Sequence, residues 1–167
     1  MISAAILVIS SKVLDNGQRD EIREVLEPMF QEEHMRLSSY HVVADNRDDI
    51  KSNLIELCDE KGAQIVLTVG GTGVRPTDWA PEATKDVIDK EVPGIGEAMR
   101  AESLKKVRTA MLSRGIAGIR GSTLIVNLPG SSRGARENLS VLMPILNHTI
   151  GKISGKGKLS RKGKLSK

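Results

Sequence analysis

The stretch Leu67-Thr68-Val69-Gly70-Gly71-Thr72-Gly73 decides how this chain of 167 residues is organised. The apolar run before the glycines, residues 65–69, is short and β-branched, which predicts a buried strand. Three glycines in four positions then allow positive φ angles and a close approach of main-chain N–H groups to a ligand. Pro81 and Glu82 indicate a helix start shortly afterwards. A strand, a glycine loop and a helix N-terminus in this order favour an anion site.

A tight turn without a ligand is the competing interpretation of this loop. The loop is neither a Walker loop, since no Gly-Lys-Ser/Thr follows, nor a dinucleotide fingerprint, since Gly-x-Gly-x-x-Gly is absent. Asp78 lies at the far end of the loop, where a carboxylate beside bound phosphate can hold a divalent cation or position a nucleophile. Both interpretations stay open on these residues alone.

Composition limits the class of protein. The chain is 39% hydrophobic and 28% charged, values typical of one soluble globular domain. Aromatic residues make up only 2%, which argues against a platform on which single-stranded nucleic acid stacks. The single cysteine, Cys58, excludes an internal disulfide and a cysteine-built zinc site. The apolar run at residues 4–9 is too short for a signal peptide or membrane span, so we expect a cytoplasmic protein without a membrane partner.

The positive charge is concentrated at the C-terminal end. Residues 152–167 contain six Lys, one Arg and no acid, whereas residues 1–151 contain 18 basic and 21 acidic residues and so carry −3. This contrast predicts a domain at residues 1–151 and a disordered basic tail at residues 152–167. Binding of nucleic acid through the tail is the alternative, and we expect it less than a solvated tail.

Apolar runs and helical stripes alternate along the chain. Predicted strands cover residues 4–9, 37–44, 65–69, 116–120 and 123–127, and helical patterns begin near residues 20, 46, 84, 95 and 135. Residues 13–18 are predicted as a loop. The alternation predicts an α/β fold of three layers, αβα, with a mostly parallel sheet.

Polar or glycine-containing loops follow four of the predicted strands. They contain Ser10 and Ser11, Asp45, residues 70–78 and residues 127–133. Ligands of such sheets bind outside the carboxyl ends of the strands, so these loops predict an active site. The alternative is that all four are surface loops without a ligand.

A longer string around the glycine loop resembles the signature of the molybdenum cofactor biosynthesis family. The string is Gly-Gly-Thr-Gly, a spacer, Asp78, two residues and Pro-Glu-Ala-Thr. Asp45 and the stretches 93–100, 111–118 and 127–131 are also similar to family segments, in the same order. The family includes the bacterial and archaeal molybdopterin adenylyltransferases and the G-domains of plant and animal homologues.

Three stretches depart from the family pattern. Ser11 and Lys12 stand where relatives often have Ser-Asp, and Arg19-Asp20-Glu21 stands where the first helix usually opens with a small Ser/Thr-Gly pair. Trp79 and Ala80 replace the usual Val-Thr after the loop aspartate. The last of these changes leaves the details of the pocket open, but not the reaction.

The resemblance implies transfer of AMP from ATP to the terminal phosphate of molybdopterin, with Mg²⁺ and release of pyrophosphate. Its functional residues, carried over position by position, fall into three groups. Asp45 and Asp78 would act in catalysis and hold magnesium. Gly70, Gly71, Thr72 and Gly73 would bind the nucleotide, and Ser113, Asn127, Gly130, Ser131 and Arg133 would bind molybdopterin. Structural roles stay open for three of them: Asp45 as a helix cap, Asn127 as a turn brace and Ser113 as a cap.

The resemblance also implies partners. They are ATP and molybdopterin, further copies of the chain in a trimer or hexamer, and a downstream protein that inserts molybdenum or tungsten. A non-catalytic molybdopterin-binding or scaffold protein of the same fold is the alternative function.

Overall fold

The computed structural model describes residues 1–155. Residues 156–167 of the predicted disordered tail lie outside the described residues, whereas Lys152 and Ile153 belong to the last helix. Six strands form one sheet: β1 (Ile2–Ile9), β2 (Met35–Val43), β3 (Ile65–Val69), β4 (Lys90–Glu91), β5 (Ala117–Arg120) and β6 (Thr123–Leu128).

The sheet has the strand order β2-β1-β3-β6-β5-β4. Strands β2, β1, β3 and β6 are parallel. At one edge β5 pairs antiparallel with β6, and β4 pairs antiparallel with β5. The chain moves from β1 to β2 on one side and later to β3 on the other, so a topological switch point lies between β1 and β3. Crevices at such switch points are the usual ligand sites of open α/β sheets.

Six α-helices pack on the two faces of the sheet. They are α1 (Ser11–Asn16), α2 (Ile22–Glu32), α3 (Arg47–Ile55), α4 (Ala80–Val87), α5 (Pro93–Leu104) and α6 (Ser132–Ile153). A π-helical segment, Glu56–Glu60, continues α3, and a 3-10 helix, Arg108–Leu112, follows α5. None of the helices in residues 1–155 combines the length and apolar character needed to cross a bilayer.

Alternate residues of the central strands enter two separate cores, as expected for strands covered on both faces. On β1, Ile6 packs with helices α2, α5 and α6, whereas Leu7 packs with α3 and α4 on the opposite face. This arrangement confirms the predicted three-layer αβα architecture and mostly parallel sheet.

One predicted boundary was wrong. Most of the segment predicted as a loop, residues 13–18, forms helix α1. The Ser10 hydroxyl accepts a hydrogen bond from the Val13 N–H at its start, and Gly17 closes it with φ of 64°. These are standard helix-capping signals. Pro28 and Pro144 lie inside continuous helices, α2 and α6.

Candidate active site

The glycine loop after β3 has a backbone that only glycine adopts readily. Gly70 and Gly71 have φ of 108° and 67°. A Cβ atom at Gly70 would lie 2.5 Å from the Ile9 carbonyl oxygen, and one at Gly71 would lie 3.3 Å from the Ala80 Cβ. These glycines are therefore required by the contact of the loop with β1 and α4, whether or not a ligand binds there.

A cavity of about 790 Å³ opens at the carboxyl ends of β1, β2 and β3. We call it the carboxylate cavity, because both predicted catalytic residues, Asp45 and Asp78, line it together with Gly70 and Gly71. Its remaining lining comes largely from α1, from the start of α2 and from residues 130–132. Four loops that are distant in sequence thus meet at one edge of the sheet, as the strand ends predict.

Main-chain N–H groups hold one oxygen of each carboxylate. The Ser11 N–H donates to Asp45 Oδ2 at 3.0 Å, and the Asp45 N–H donates to the Ser11 hydroxyl at 2.9 Å. The Arg75 N–H donates to Asp78 Oδ2 at 2.9 Å. Within residues 1–155, the Oδ1 atoms of both residues have no hydrogen-bond partner. One oxygen of each carboxylate is thus fixed and the other is available to a ligand.

A second cavity, of about 280 Å³, lies on the other side of the glycine loop. We call it the serine cavity. Thr72, Gly73, Ser113 and Ser131 line it, and so does the Arg100 side chain. Ser131 lines both cavities. The glycine loop is therefore a wall between two spaces, with Gly70 and Gly71 facing one and Thr72 and Gly73 facing the other.

Arg114 braces this wall. Its Nε donates to the Gly73 carbonyl at 2.7 Å, and one Nη donates to the Asp78 carbonyl at 3.0 Å. Its other Nη pairs with Glu82 at the start of α4. Arg114 belongs to a family-like segment, but the sequence predicts no role for it, because its partners lie 32 to 41 residues earlier in the chain.

Arg100 and Asn138 shape the serine cavity and were also not predicted. The Arg100 guanidinium donates to the Gly115 carbonyl at 2.7 Å and so holds the segment after Ser113. Asn138 is buried and its amide donates to the Ser103 hydroxyl at 3.0 Å. Beside it, the hydrogen bond from Arg133 lowers the pKa of Glu137.

Comparison with known proteins identifies the family of this chain. The profile described as "Probable molybdopterin binding domain" matches residues 5–148. The chain belongs to this family. This result confirms the resemblance that the glycine-loop string and the four further segments predict.

Curated relatives and solved structures agree with this assignment. The chain is 49% identical over 116 residues to a protein from Helicobacter pylori J99 named molybdopterin adenylyltransferase; the match covers 70% of this chain and 66% of the relative. The chain thus spans slightly less than two thirds of that relative's length.

Two solved structures cover nearly the whole fold. A molybdopterin biosynthesis enzyme MoaB from Thermus thermophilus has a TM-score of 0.88 at 40% identity, covering 93% of this chain and 98% of its own. A molybdopterin biosynthesis Mog protein from Mycobacterium ulcerans has a TM-score of 0.86 at 36% identity, covering 92% and 99%.

Two residues predicted to bind molybdopterin, Asn127 and Arg133, line neither the carboxylate cavity nor the serine cavity. Asn127 is 1% exposed, and its amide donates to the hydroxyls of Thr68 and Thr84, both at 2.9 Å, while its Oδ1 accepts from the Ile116 N–H at 3.1 Å. This geometry favours the alternative role of a brace beneath the loops. Arg133 lines a separate open groove and pairs with Glu137 at 3.1 Å, its side chain 83% exposed. Direct contact of either residue with a pterin stays a prediction that the geometry does not support.

The other three predicted molybdopterin residues lie at the cavities. Ser113 lines the serine cavity, and Gly130 lines the carboxylate cavity, where a Cβ would lie 3.2 Å from the Gly70 Cα. Ser131 lies at the shared edge, and its hydroxyl accepts from the Gly134 N–H at 3.0 Å as the cap of α6. The close approach of Gly130 to Gly70 brings the two glycine loops together.

Trp79 and Ala80, which depart from the family pattern, line neither cavity in residues 1–155. Trp79 packs against the α3–α4 core, and the Arg47 guanidinium lies 5.8 Å from its ring centroid. Ala80 is fully buried, and its N–H donates to the Gly71 carbonyl at 3.0 Å. Both residues therefore support the glycine loop from the side of the α3–α4 core.

The carboxylate cavity has the donor set that Mg²⁺ prefers. Among residues 1–155, no cluster of three or more His, Cys, Asp or Glu could enclose a metal ion. Magnesium, however, keeps several waters and is commonly bound by one or two carboxylates together with substrate phosphates. The free Oδ1 atoms of Asp45 and Asp78, on one cavity beside a glycine loop, fit that mode of binding.

Proposed function

We propose that this protein is a molybdopterin adenylyltransferase, which transfers AMP from ATP to the terminal phosphate of molybdopterin and releases pyrophosphate. One observation carries the proposal: two cavities of different chemistry meet at the loop from Gly70 to Gly73 and share Ser131. A transfer between two large substrates requires such a pair of sites with a common edge.

In this mechanism ATP occupies the carboxylate cavity and the pterin occupies the serine cavity. The Gly70 N–H donates to the Leu128 carbonyl at 3.1 Å, so the Gly71 N–H would be the donor to the nucleotide phosphates, while Thr72 and Gly73 line the cavity of the pterin. Ser131 and Gly73 stand at the boundary, where the terminal phosphate of the pterin meets the α-phosphate. Transfer of this type depends on positioning and charge neutralisation more than on acid–base catalysis.

Asp45 and Asp78 would hold magnesium through their Oδ1 atoms. The ion, when bound, supplies positive charge to the phosphates. The main-chain N–H groups of Ser11 and Arg75 fix the orientation of the two carboxylates, because each donates to the Oδ2 atom and leaves Oδ1 free. Neither carboxylate needs to move a proton for this role.

The competing function is a scaffold protein that binds molybdopterin without turnover. Curated relatives named molybdopterin adenylyltransferase favour the enzyme, and so does the pair of half-buried carboxylates, which pterin binding alone does not require.

The decisive experiment combines the purified protein with molybdopterin, ATP labelled at the α-phosphate and Mg²⁺. We expect equal amounts of pyrophosphate and adenylylated molybdopterin. The double variant Asp45→Asn/Asp78→Asn, prepared identically, controls for contaminating enzymes. Tight pterin binding with no pyrophosphate released would favour the scaffold function. Omission of Mg²⁺ with EDTA tests the metal requirement in the same assay.

Three further properties stay part of the proposal. They are assembly into a trimer or hexamer, delivery of the product to a metal-insertion protein, and a cytoplasmic location. Sedimentation of the full chain tests the first directly. The exposed apolar side chains of Val107, Met111 and Leu112, on the segment that borders the serine cavity, support a contact between copies at that position.

A further inference from the structure

The carboxylate cavity contains three basic side chains that the mechanism above does not use. Lys12, Arg19 and Arg75 all line it. Arg19 pairs with Glu24 at 3.0 Å. Lys12 and Arg75, in contrast, have no carboxylate within 4.0 Å among residues 1–155. Both side chains are exposed to solvent, and two cations on one cavity wall that no carboxylate neutralises favour an anionic ligand.

Each of these cations lies on a short segment whose backbone bonds a predicted catalytic carboxylate. Arg75 is the residue whose N–H holds Asp78, at 2.9 Å. Lys12 directly follows Ser11, whose N–H holds Asp45 at 3.0 Å. The same short segments that orient the carboxylates therefore also supply positive charge to the cavity.

We propose that Lys12 and Arg75 bind the β- and γ-phosphates of the nucleoside triphosphate and the pyrophosphate that leaves. This inference rests on the proposed function. In the transfer step, a pterin phosphate oxygen forms a bond to the α-phosphorus, and the bond between this phosphorus and the α,β-bridging oxygen breaks. The electron pair of that bond leaves with pyrophosphate, so negative charge accumulates on the group that the two cations face.

The assignment gives the cavity a basis for choosing a triphosphate over a monophosphate. AMP lacks the two phosphates that Lys12 and Arg75 would contact, whereas the glycine loop serves the α-phosphate in both nucleotides. Arg75 suits a phosphate because its guanidinium donates two parallel hydrogen bonds.

Calorimetric titration of the full chain with pyrophosphate and, separately, with AMP tests the assignment without molybdopterin. For Lys12→Met and Arg75→Gln we expect pyrophosphate affinity to fall roughly tenfold each, the loss typical of one charge-assisted contact at a partly exposed site. AMP affinity should change less than twofold. Lys85→Met and Arg36→Gln are matched controls, because both side chains are exposed and lie away from the cavity.

Five outcomes are informative. Selective loss of pyrophosphate binding supports the assignment. Unchanged pyrophosphate binding by the double variant Lys12→Met/Arg75→Gln overturns it, and so does an equal loss for pyrophosphate and AMP. If the wild-type protein transfers adenylyl groups but these variants keep their KM for ATP, the inference fails while the proposed function stands. If the wild-type protein binds neither ligand and releases no pyrophosphate, the nucleotide site itself is wrong and this inference fails with it.

Discussion

The two cavities beside the glycine loop differ sharply in charge. Within residues 1–155, the carboxylate cavity is lined by four acidic and three basic side chains, including Asp45, Asp78 and Lys12. The serine cavity is lined by one acid, Glu137, and one base, Arg100, among hydroxyl, amide and apolar groups. Arg100 is already bonded to a main-chain carbonyl.

This difference favours a different kind of ligand in each cavity. Dense charge of both signs suits a metal ion and a polyphosphate, which need carboxylates and cations together. A nearly neutral cavity with hydroxyl and amide groups suits a flat heterocycle that is recognised by hydrogen bonds. The loop from Gly70 to Gly73 contributes to both cavities. A substitution in one cavity therefore leaves ligand binding in the other unaffected only if this loop stays rigid.

The largest expected effect comes from Asp78→Asn. The change keeps the volume and the contact with the Arg75 N–H but removes the negative charge. We expect kcat to fall about a hundredfold or more, as for loss of a group that stabilises charge in the transition state. Molybdopterin affinity should stay within about twofold, because the residue lines the other cavity.

Pyrophosphate release and pterin titration, with circular dichroism to verify folding, check this result. Asp48→Asn, an exposed aspartate on α3 without an ion pair among residues 1–155, is the control. Near-normal turnover by Asp78→Asn would remove the carboxylate from catalysis. Equal damage to pterin binding would show that the two cavities are one site.

The next prediction concerns Asn127, the buried residue that braces the loops of both cavities from beneath. Asn127→Leu leaves the Thr68 and Thr84 hydroxyls and the Ile116 N–H without their partner in a buried position. We expect the free energy of unfolding to fall by about 2 kcal/mol. Urea denaturation measures it, with Asn147→Leu on the exposed face of α6 as control. A variant of unchanged stability that loses only pterin affinity would restore Asn127 as a ligand.

Much of the fold follows from local patterns. The strands around Ile6 and Leu67 are continuous apolar runs, and such runs predict central parallel strands because both faces are covered. Helix α1 was missed because its six residues carry no buried side chain and so give no apolar stripe, although Ser10 and Gly17 cap it. Short helices are set by their caps, which are weaker signals in sequence than hydrophobic periodicity.

The candidate site was predictable in part. Asp45 and Asp78 directly follow strands or the glycine loop, so topology alone brings them to one edge of the sheet. Arg114 and Arg100 act through carbonyl groups far along the chain, and no sequence spacing reveals such contacts. Asn127 lies in the family-like segment 127–131 and Arg133 follows it, yet neither side chain lines either cavity. The direction of a side chain depends on packing, which a sequence motif does not contain.

A smaller effect is expected from Arg114, which stiffens the wall between the cavities. Arg114→Met keeps the apolar stem and removes the side-chain bonds to the carbonyls of Gly73 and Asp78. We expect kcat/KM to fall about tenfold for both substrates. This is the loss expected for a hydrogen bond from a charged group whose strength is reduced by partial exposure to solvent. Arg114→Lys should recover only part of the loss, because one ammonium group cannot reach all three partners.

Steady-state kinetics with each substrate varied in turn measures the Arg114 effect. Arg36→Met, exposed on β2 and outside both cavities, is the control. A loss confined to one substrate would mean that Arg114 serves one cavity and does not brace the wall. Full activity in Arg114→Met would mean that the loop is rigid without it.

The smallest effect concerns Ser131, the residue that the two cavities share. Ser131→Ala removes the hydroxyl that accepts from the Gly134 N–H at the start of α6, and we expect a loss of about 1 kcal/mol in the free energy of unfolding. Ser131→Asp keeps a capping oxygen, so its stability should return to near the wild-type value. The new carboxylate, however, lies at the edge where two phosphates are proposed to meet, and it should weaken the binding of both substrates by repulsion. Thermal unfolding and separate titrations with ATP and molybdopterin distinguish the two roles of this residue. If Ser131→Asp binds one substrate normally, the shared edge belongs to the other cavity alone, and the substrates do not meet there.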